Sequence, residues 1–297
     1  EIALEVVEEV RGSIAMFMFI IEEAIQTVGM ACYINYKLGD VEAAKEADIV
    51  IVSVPIEETP KTISEVAPNM RVGTVLAEIS SIKTHVLPAL IETSKRGLRA
   101  ISIHPLFGPG VKDLSEERIA LIPVSDSEAE VGVVRRLFPE AEVIVVGVKE
   151  HDRVMALTLS IPHFMNMVFA SLVGEEDLDL LRRLGGTTFT LQLTLCESVI
   201  SEKPSLYASI QMDNEYTAGY LERFISKAHH LMDLICRRDG KGFIKPRLVY
   251  YAVRDVFRYL GIHMRRAVRS AKFQPKSQQL NCPYCGGLLE IQLRKGG

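Results

Sequence analysis

The feature that most constrains this chain is one unbroken apolar run, Asp48-Ile-Val-Ile-Val-Ser-Val-Pro55. A strand with one face in water alternates apolar and polar residues. A run that is apolar at every position needs cover on both faces, which is the setting of a parallel strand between helices. Val/Ile-rich stretches at 74–79, 99–103, 119–124 and 143–148 read as further strands, with helical stretches between several of them. Upstream, 14–20 reads as a strand and 1–11 and 21–28 as helices. This alternation predicts an α/β fold built on a doubly wound parallel sheet. After about residue 149 no convincing strand recurs. Long helical patterns at 150–173, 178–202 and 205–238 predict an all-helical second domain. The expected division is a sheet domain at 1–149, a helical domain at 150–242 and a basic tail at 243–297. A chain of 297 residues has room for two such domains.

Charge and cysteine content narrow the setting. The net charge of -4 points to neither a polyanion nor a membrane partner. From Arg237 onward there are 14 Lys/Arg against three acids, so that stretch carries about +11 and the remainder about -15. A basic tail on an acidic body reads as a solvated or docking face before it reads as a nucleic-acid site. The five cysteines are an odd, scattered set, which fits a reducing, cytoplasmic setting with free thiols. The uncharged run 154–173 is long enough to span a bilayer. It contains Pro162, His163 and Asn166, and a buried soluble helix accounts for it better. Cys282 and Cys285 supply half of a zinc site at most, since structural zinc takes four ligands and no second pair lies nearby; no metal is expected.

A dinucleotide-binding sheet opens with a strand, a Gly-x-Gly-x-x-Gly turn and a helix, whose glycines let the backbone approach the pyrophosphate. No such motif occurs in these residues. If 48–55 is the fourth strand, 14–20 fits the second and 1–11 the first helix. The Gly-rich turn would then fall immediately before Glu1. The competing reading is a sheet that never held a nucleotide.

Ligands of open α/β sheets lie at the C-terminal ends of the strands, so the residues there come first. His104 follows the strand 99–103 and opens His104-Pro-Leu-Phe-Gly-Pro-Gly110, a loop stiffened by proline and glycine. A neutral imidazole can take a hydroxyl proton near pH 7, although a His before Pro is also a common turn residue. Ser80 and Ser81 end another strand, where serine also serves as a helix N-cap. Ser53, Val54 and Pro55 end the strongest strand, where a ribose or nicotinamide can lie over the loop; Pro55 equally just stops the strand. His163 lies on an apolar helix, most often a core position. Pro162 beside it disrupts the helix and can free a carbonyl to partner it. His151-Asp-Arg153 reads as a charged first turn of the helical domain.

Together these segments resemble the prephenate dehydrogenase family. The carriers are Ala47-Asp-Ile-Val-Ile-Val-Ser-Val-Pro55, Ser81-Ile-Lys83, His104-Pro-Leu-Phe-Gly-Pro109, His151-Asp-Arg153, Ile161-Pro-His-Phe164 and Pro204-Ser-Leu-Tyr-Ala208, which cover roughly residues 1–242 in the family's order. The resemblance implies a Rossmann-like domain binding NAD or NADP, followed by a helical domain that forms a homodimer. It implies oxidation of the ring hydroxyl of prephenate, with loss of CO2 to give 4-hydroxyphenylpyruvate in tyrosine biosynthesis. It makes His104 the catalytic histidine and Ser81 the serine that hydrogen-bonds beside it. It places His163 and Ser80 at the substrate and Ser53, Val54, Pro55 and Ile56 beside the cofactor. Glu22 or Glu23, with no clear Arg near the end of the second strand, leans toward NAD. One departure concerns substrate binding: where bacterial and archaeal relatives carry an arginine for a substrate carboxylate, this chain has Ser198, with Arg182 and Arg183 as the nearby cations. The alternatives left open are a non-catalytic, dimeric ligand- or partner-binding member, and a related dehydrogenase of arogenate or another hydroxy acid.

Overall fold

The computed structural model describes residues 31–34, 41–107, 111, 113–200 and 204–244, and the short pairs 280–281 and 288–289. The expectations for 1–11, 14–20, 21–28 and the cofactor-selecting Glu22 and Glu23 lie outside these residues, as do those for Cys282 and Cys285. Residues 1–226 and 227–297 form two compact units. In the second, β7 (Leu280–Asn281) and β8 (Leu288–Leu289) pair antiparallel.

The first unit opens on a six-stranded sheet: β1 (Ala31–Ile34), β2 (Ile49–Val52), β3 (Val75–Glu78), β4 (Arg99–Pro105), β5 (Arg118–Ile122) and β6 (Glu142–Val145). The strands neighbour one another in chain order. β1 to β4 are parallel, joined through α1 (Val41–Glu46), α2 (Thr59–Val66) and α3 (Leu87–Lys95). The expected doubly wound, mainly parallel sheet is found, with one departure at β5, which runs antiparallel to β4 with His104 opposite Ala120. The segment between β4 and β5 holds no described helix, so the chain turns back beside β4 instead of crossing over. β6 is again parallel to β5, across α4 (Ser127–Leu137).

Every residue of β2 and β3 is buried, as the apolar run requires. Alternate side chains feed two cores. Ile49, Ile51, Val75, Ala77, Ile101 and Ile103 face Val133, Val134 and Leu137 of α4. Val50, Val52, Leu76 and Ala100 face Ile63 and Val66 of α2 and Leu90 of α3. Helices thus cover both faces of the sheet. Each fully buried Val, Ile or Leu contributes about 1.5–3 kcal/mol, so a single polar replacement in β2 would damage the layer. At the end of α3 the chain turns into β4 through Gly97, whose φ of 85° suits a residue without a Cβ.

The helical part begins with one continuous helix in three parts: α5 (Val148–Met155), a π-helical turn (Ala156–Ser160) and α6 (Ile161–Val173). Pro162 lies in the first turn of α6, just after the wide turn, where its missing N–H is tolerated. This helix is long and apolar enough to cross a membrane. The expectation of a buried helix is not met in the single chain, where only 28% of its most apolar stretch is buried. The stretch 178–202 is two helices, α7 (Leu178–Leu184) and α8 (Thr187–Ile200). The break falls at Gly185, where a Cβ would lie 2.4 Å from Phe189 Cδ1 and 2.8 Å from the Leu181 carbonyl. The stretch 205–238 is likewise split, into α9 (Pro204–Met212) and α10 (Thr217–Cys236), with α11 (Gly240–Ile244) after it.

Candidate active site

The site is built where the C-terminal ends of β3 and β4 meet the start of α5. His104, the sixth residue of β4, is 8% exposed. Its Nδ1 lies 3.1 Å from His151 Nε2. His151 Nδ1 in turn lies 2.7 Å from Asp152 Oδ1. His151 and Asp152 are each 1% exposed, so the expected charged first turn is instead the buried inner side of α5. Asp152 also accepts the Thr84 hydroxyl at 2.6 Å, the Thr84 N–H at 2.9 Å and the Lys83 N–H at 3.1 Å. It therefore satisfies the free N–H groups of the turn leading into α3, a task that sequence reasoning gave to Ser80 or Ser81.

The proton order follows from this chain of contacts. Burial would raise the Asp152 carboxyl, but the hydrogen bonds from His151, Thr84 and Lys83 outweigh it and hold it below its usual value. A carboxylate can only accept, so His151 Nδ1 donates to it. With both rings neutral, His151 Nε2 accepts from His104 Nδ1–H, and His104 Nε2 is left as a lone pair. That nitrogen has no hydrogen-bond partner among the described residues and is not sealed off by the protein. Burial, then the Lys83 charge, then His151 keep the His104 ring well below the ordinary histidine value, hence neutral at pH 7. The arrangement presents a base aimed outward from the end of β4.

Beneath His104 lies a buried ionic cluster that the sequence did not reveal. Glu78 and Lys83 are both 0% exposed and pair at 2.6 Å. Lys83 Nζ also donates to the Ile103 carbonyl at 2.6 Å, and the Ser102 hydroxyl donates to Glu78 at 2.5 Å. Ser80 belongs to this cluster: its hydroxyl and its N–H, at 2.9 Å, both donate to Glu78. Glu78 thus holds the Ser80 hydroxyl hydrogen, which leaves the expected contact of Ser80 with substrate to the oxygen's lone pairs. Ser81 is half-buried and has no hydrogen-bond partner among the described residues, which leaves its hydroxyl free beside the site.

His163 sits on α6 with its ring 4.7 Å from that of Tyr207 on α9. Its Nδ1 is buried and unpartnered, and burial lowers its pKa. The carbonyl expected to partner it is absent; the Ser160 carbonyl accepts from Gln211 at 2.8 Å instead. Ser198 is exposed on α8 and donates to the Leu195 carbonyl at 2.8 Å. Arg182 reaches the same helix but is paired with Glu197 at 3.0 Å, whereas Arg183 has no described partner.

The strip expected beside a cofactor divides. Ser53 is half-buried with no described partner. Val54 packs on the α2 and α3 side of the sheet. The Pro55 carbonyl accepts the N–H groups of Glu58 and Thr59, at 2.9 and 3.1 Å. Ile56 is 4% exposed, packed with Ile82 and Ile210. Ile56 therefore anchors α9 rather than facing a ligand. A nicotinamide fits this edge to the extent that Ser53 and Ser81 offer free hydroxyls on neighbouring parallel strand ends, one strand before His104; the residues for a pyrophosphate are not among those described. No group of three or more His, Cys, Asp or Glu among the described residues is placed to hold a metal.

Two family models match in succession: prephenate dehydrogenase, nucleotide-binding domain, over 19–146, and prephenate dehydrogenase, dimerization domain, over 148–246. The chain belongs to the prephenate dehydrogenase family. A probable arogenate/prephenate dehydrogenase of Methanocaldococcus jannaschii is 32% identical over 219 residues, 71% of this chain and 49% of that protein. The T-protein of Enterobacter agglomerans is 25% identical over 67% of this chain and 53% of its own length. The chain thus spans about half the length of these curated relatives. The crystal structure of A. aeolicus prephenate dehydrogenase in complex with hydroxyphenyl propionate and NAD+ aligns with a TM-score of 0.59 at 14% identity, over 86% of this chain and 95% of that one. Synechocystis arogenate dehydrogenase aligns at 0.54 and 18% identity, over 73% and 82%. These two likenesses establish the fold: a mixed, mainly parallel Rossmann-like sheet followed by helices.

Proposed function

We propose that this chain carries out the oxidative decarboxylation of prephenate to 4-hydroxyphenylpyruvate in tyrosine biosynthesis. The observation that carries the reading is the relay Asp152–His151–His104, which ends in an accessible, unprotonated Nε2. His104 takes the proton of the ring hydroxyl as the C–H bond on the same carbon breaks. His151 and Asp152 stabilise the cation that forms on His104, and the Ser81 hydroxyl holds the substrate oxygen in place. Bound NAD(P)+ supplies the hydride acceptor. The ring carboxylate then leaves as CO2, its bonding electrons complete the aromatic ring, and the resulting phenolate oxygen takes the proton back from His104.

The same reading divides the chain near residue 149 into a nucleotide-binding part and a helical part. It makes the molecule a homodimer through the helical part, as the match to a dimerization domain supports. A cytoplasmic location is part of the proposal, supported by the free thiols of Cys196 and Cys236.

The test is prephenate-dependent NADH formation by the full chain that the gene encodes. His104→Asn should lower kcat by about 10²–10⁴-fold while NAD+ binding is retained, the scale of a lost general base. Undiminished turnover in His104→Asn would sink the reading.

A further inference from the structure

The mechanism above uses neither charge of the buried pair under the site. Burying a carboxylate and an ammonium costs several kcal/mol per ion, and an apolar pair of similar volume is often as stable. This pair, fully enclosed, is therefore poorly explained as a source of stability.

Its contacts suggest another role. The Lys83 side chain grips the carbonyl of Ile103, the residue immediately before His104, at 2.6 Å. The Lys83 backbone N–H grips Asp152, at 3.1 Å to Oδ1 and 3.3 Å to Oδ2. One residue thus holds both ends of the relay, the strand that carries the base and the carboxylate that orients it. Glu78 keeps Lys83 in place, and Ser80 and Ser102 fill the remaining acceptor sites of Glu78. The charged and titratable groups around His104 are Glu78 from β3, Lys83 from the turn after it, and His151 and Asp152 from α5. Among them Lys83 acts against a proton on the ring, and Asp152 acts in favour of one.

We propose that Lys83 is a positioning residue for the reaction: locked by Glu78, it fixes the Ile103–His104 peptide and the Asp152 carboxylate together, and so keeps the His104 ring in its outward-facing base form. The proposal rests on the reading of His104 as the base.

The experiment needs no turnover. Imidazole ¹⁵N resonances of the labelled, unliganded protein report tautomer and titration, and the His104 signals are those missing in His104→Asn. The native protein should show His104 with its proton on Nδ1 and a midpoint below that of a free histidine. An Nε2–H tautomer, or an ordinary midpoint, overturns the proposal without any variant. The neutral pair Lys83→Met with Glu78→Gln removes both charges without stranding either. A folded double variant should move the His104 midpoint upward, because Lys83 is the charge of the pair that acts on the ring, and should mix the two tautomers. Unchanged midpoint and tautomer in that folded variant would leave Lys83 a purely structural residue. Prephenate turnover is measured separately. An inactive protein with the expected His104 signature counts against the functional reading alone; an active one without it counts against Lys83 alone.

Discussion

His104 is held neutral by its surroundings, and that has a consequence for stability. Its folded pKa lies below the value of about 6.5 that it takes in the unfolded chain. Between those two values the unfolded state binds a proton that the folded state refuses, so stability falls as pH drops below about 6.5. The slope approaches about 1.4 kcal/mol per pH unit for one such group. His163, lowered by burial, adds in the same direction. Asp152, also lowered, contributes stability that is present above its unfolded value near 3.9 and lost only below it, so its effect lies at more acid pH. Denaturant melts between pH 7 and pH 5 should therefore show falling stability. His104→Asn should flatten that fall, and an equally steep fall in the variant would place its origin elsewhere. At this scale the legible residues were those at strand ends. His104 and Ser81 stood out because the strands before them are strongly apolar. Glu78 and Lys83 did not, because a charge near a loop is usually solvated. The contact between Lys83 and Asp152 joins residues 69 apart in the chain, which no local pattern can show.

The strands were legible for the same physical reason, since residues buried on both faces leave no polar alternation. The direction of β5 was not, because a covered strand has the same composition whichever way it runs. Helix ends in the second half were hidden by apolar sequence that continues through them. One break has a clear cause. Asn214, 3% exposed, donates to the Asp152 carbonyl at 2.7 Å and accepts the Tyr216 N–H at 3.0 Å. It pins the turn between α9 and α10 to the helix that carries the relay. Asn214→Ala would leave the Tyr216 N–H without its partner and the Asp152 carbonyl with only the helical Ala156 N–H, at about 1–3 kcal/mol in all. A drop in melting temperature of several degrees should follow, read by circular dichroism. A variant that melts with the native protein would show that the turn is held by packing instead.

At the level of the whole molecule, the apolar surface of the helical part calls for a cover. On α6, Met165, Val168 and Leu172 are 42%, 53% and 60% exposed, at spacings that keep them on one face. On α8, which packs beside α6, Leu191 and Leu195 are 43% and 54% exposed, one helical turn apart. Contiguous patches of this kind mark an interface, and most homo-oligomers close by placing one patch against its own copy. A bilayer would be the other apolar cover. Against it, α5 and α6 share their helix with the buried, polar Ser160 and Asn166, and α5 carries His151 and Asp152 into the sheet's active edge. Replacing Val168 and Leu172 together by glutamate tests the choice. The native chain should sediment as a dimer without detergent, and the double variant as a folded monomer whose β-sheet signal is unchanged. Retained dimer in the variant would move the interface away from α6, and native protein recovered only with vesicles would make the helix a membrane element.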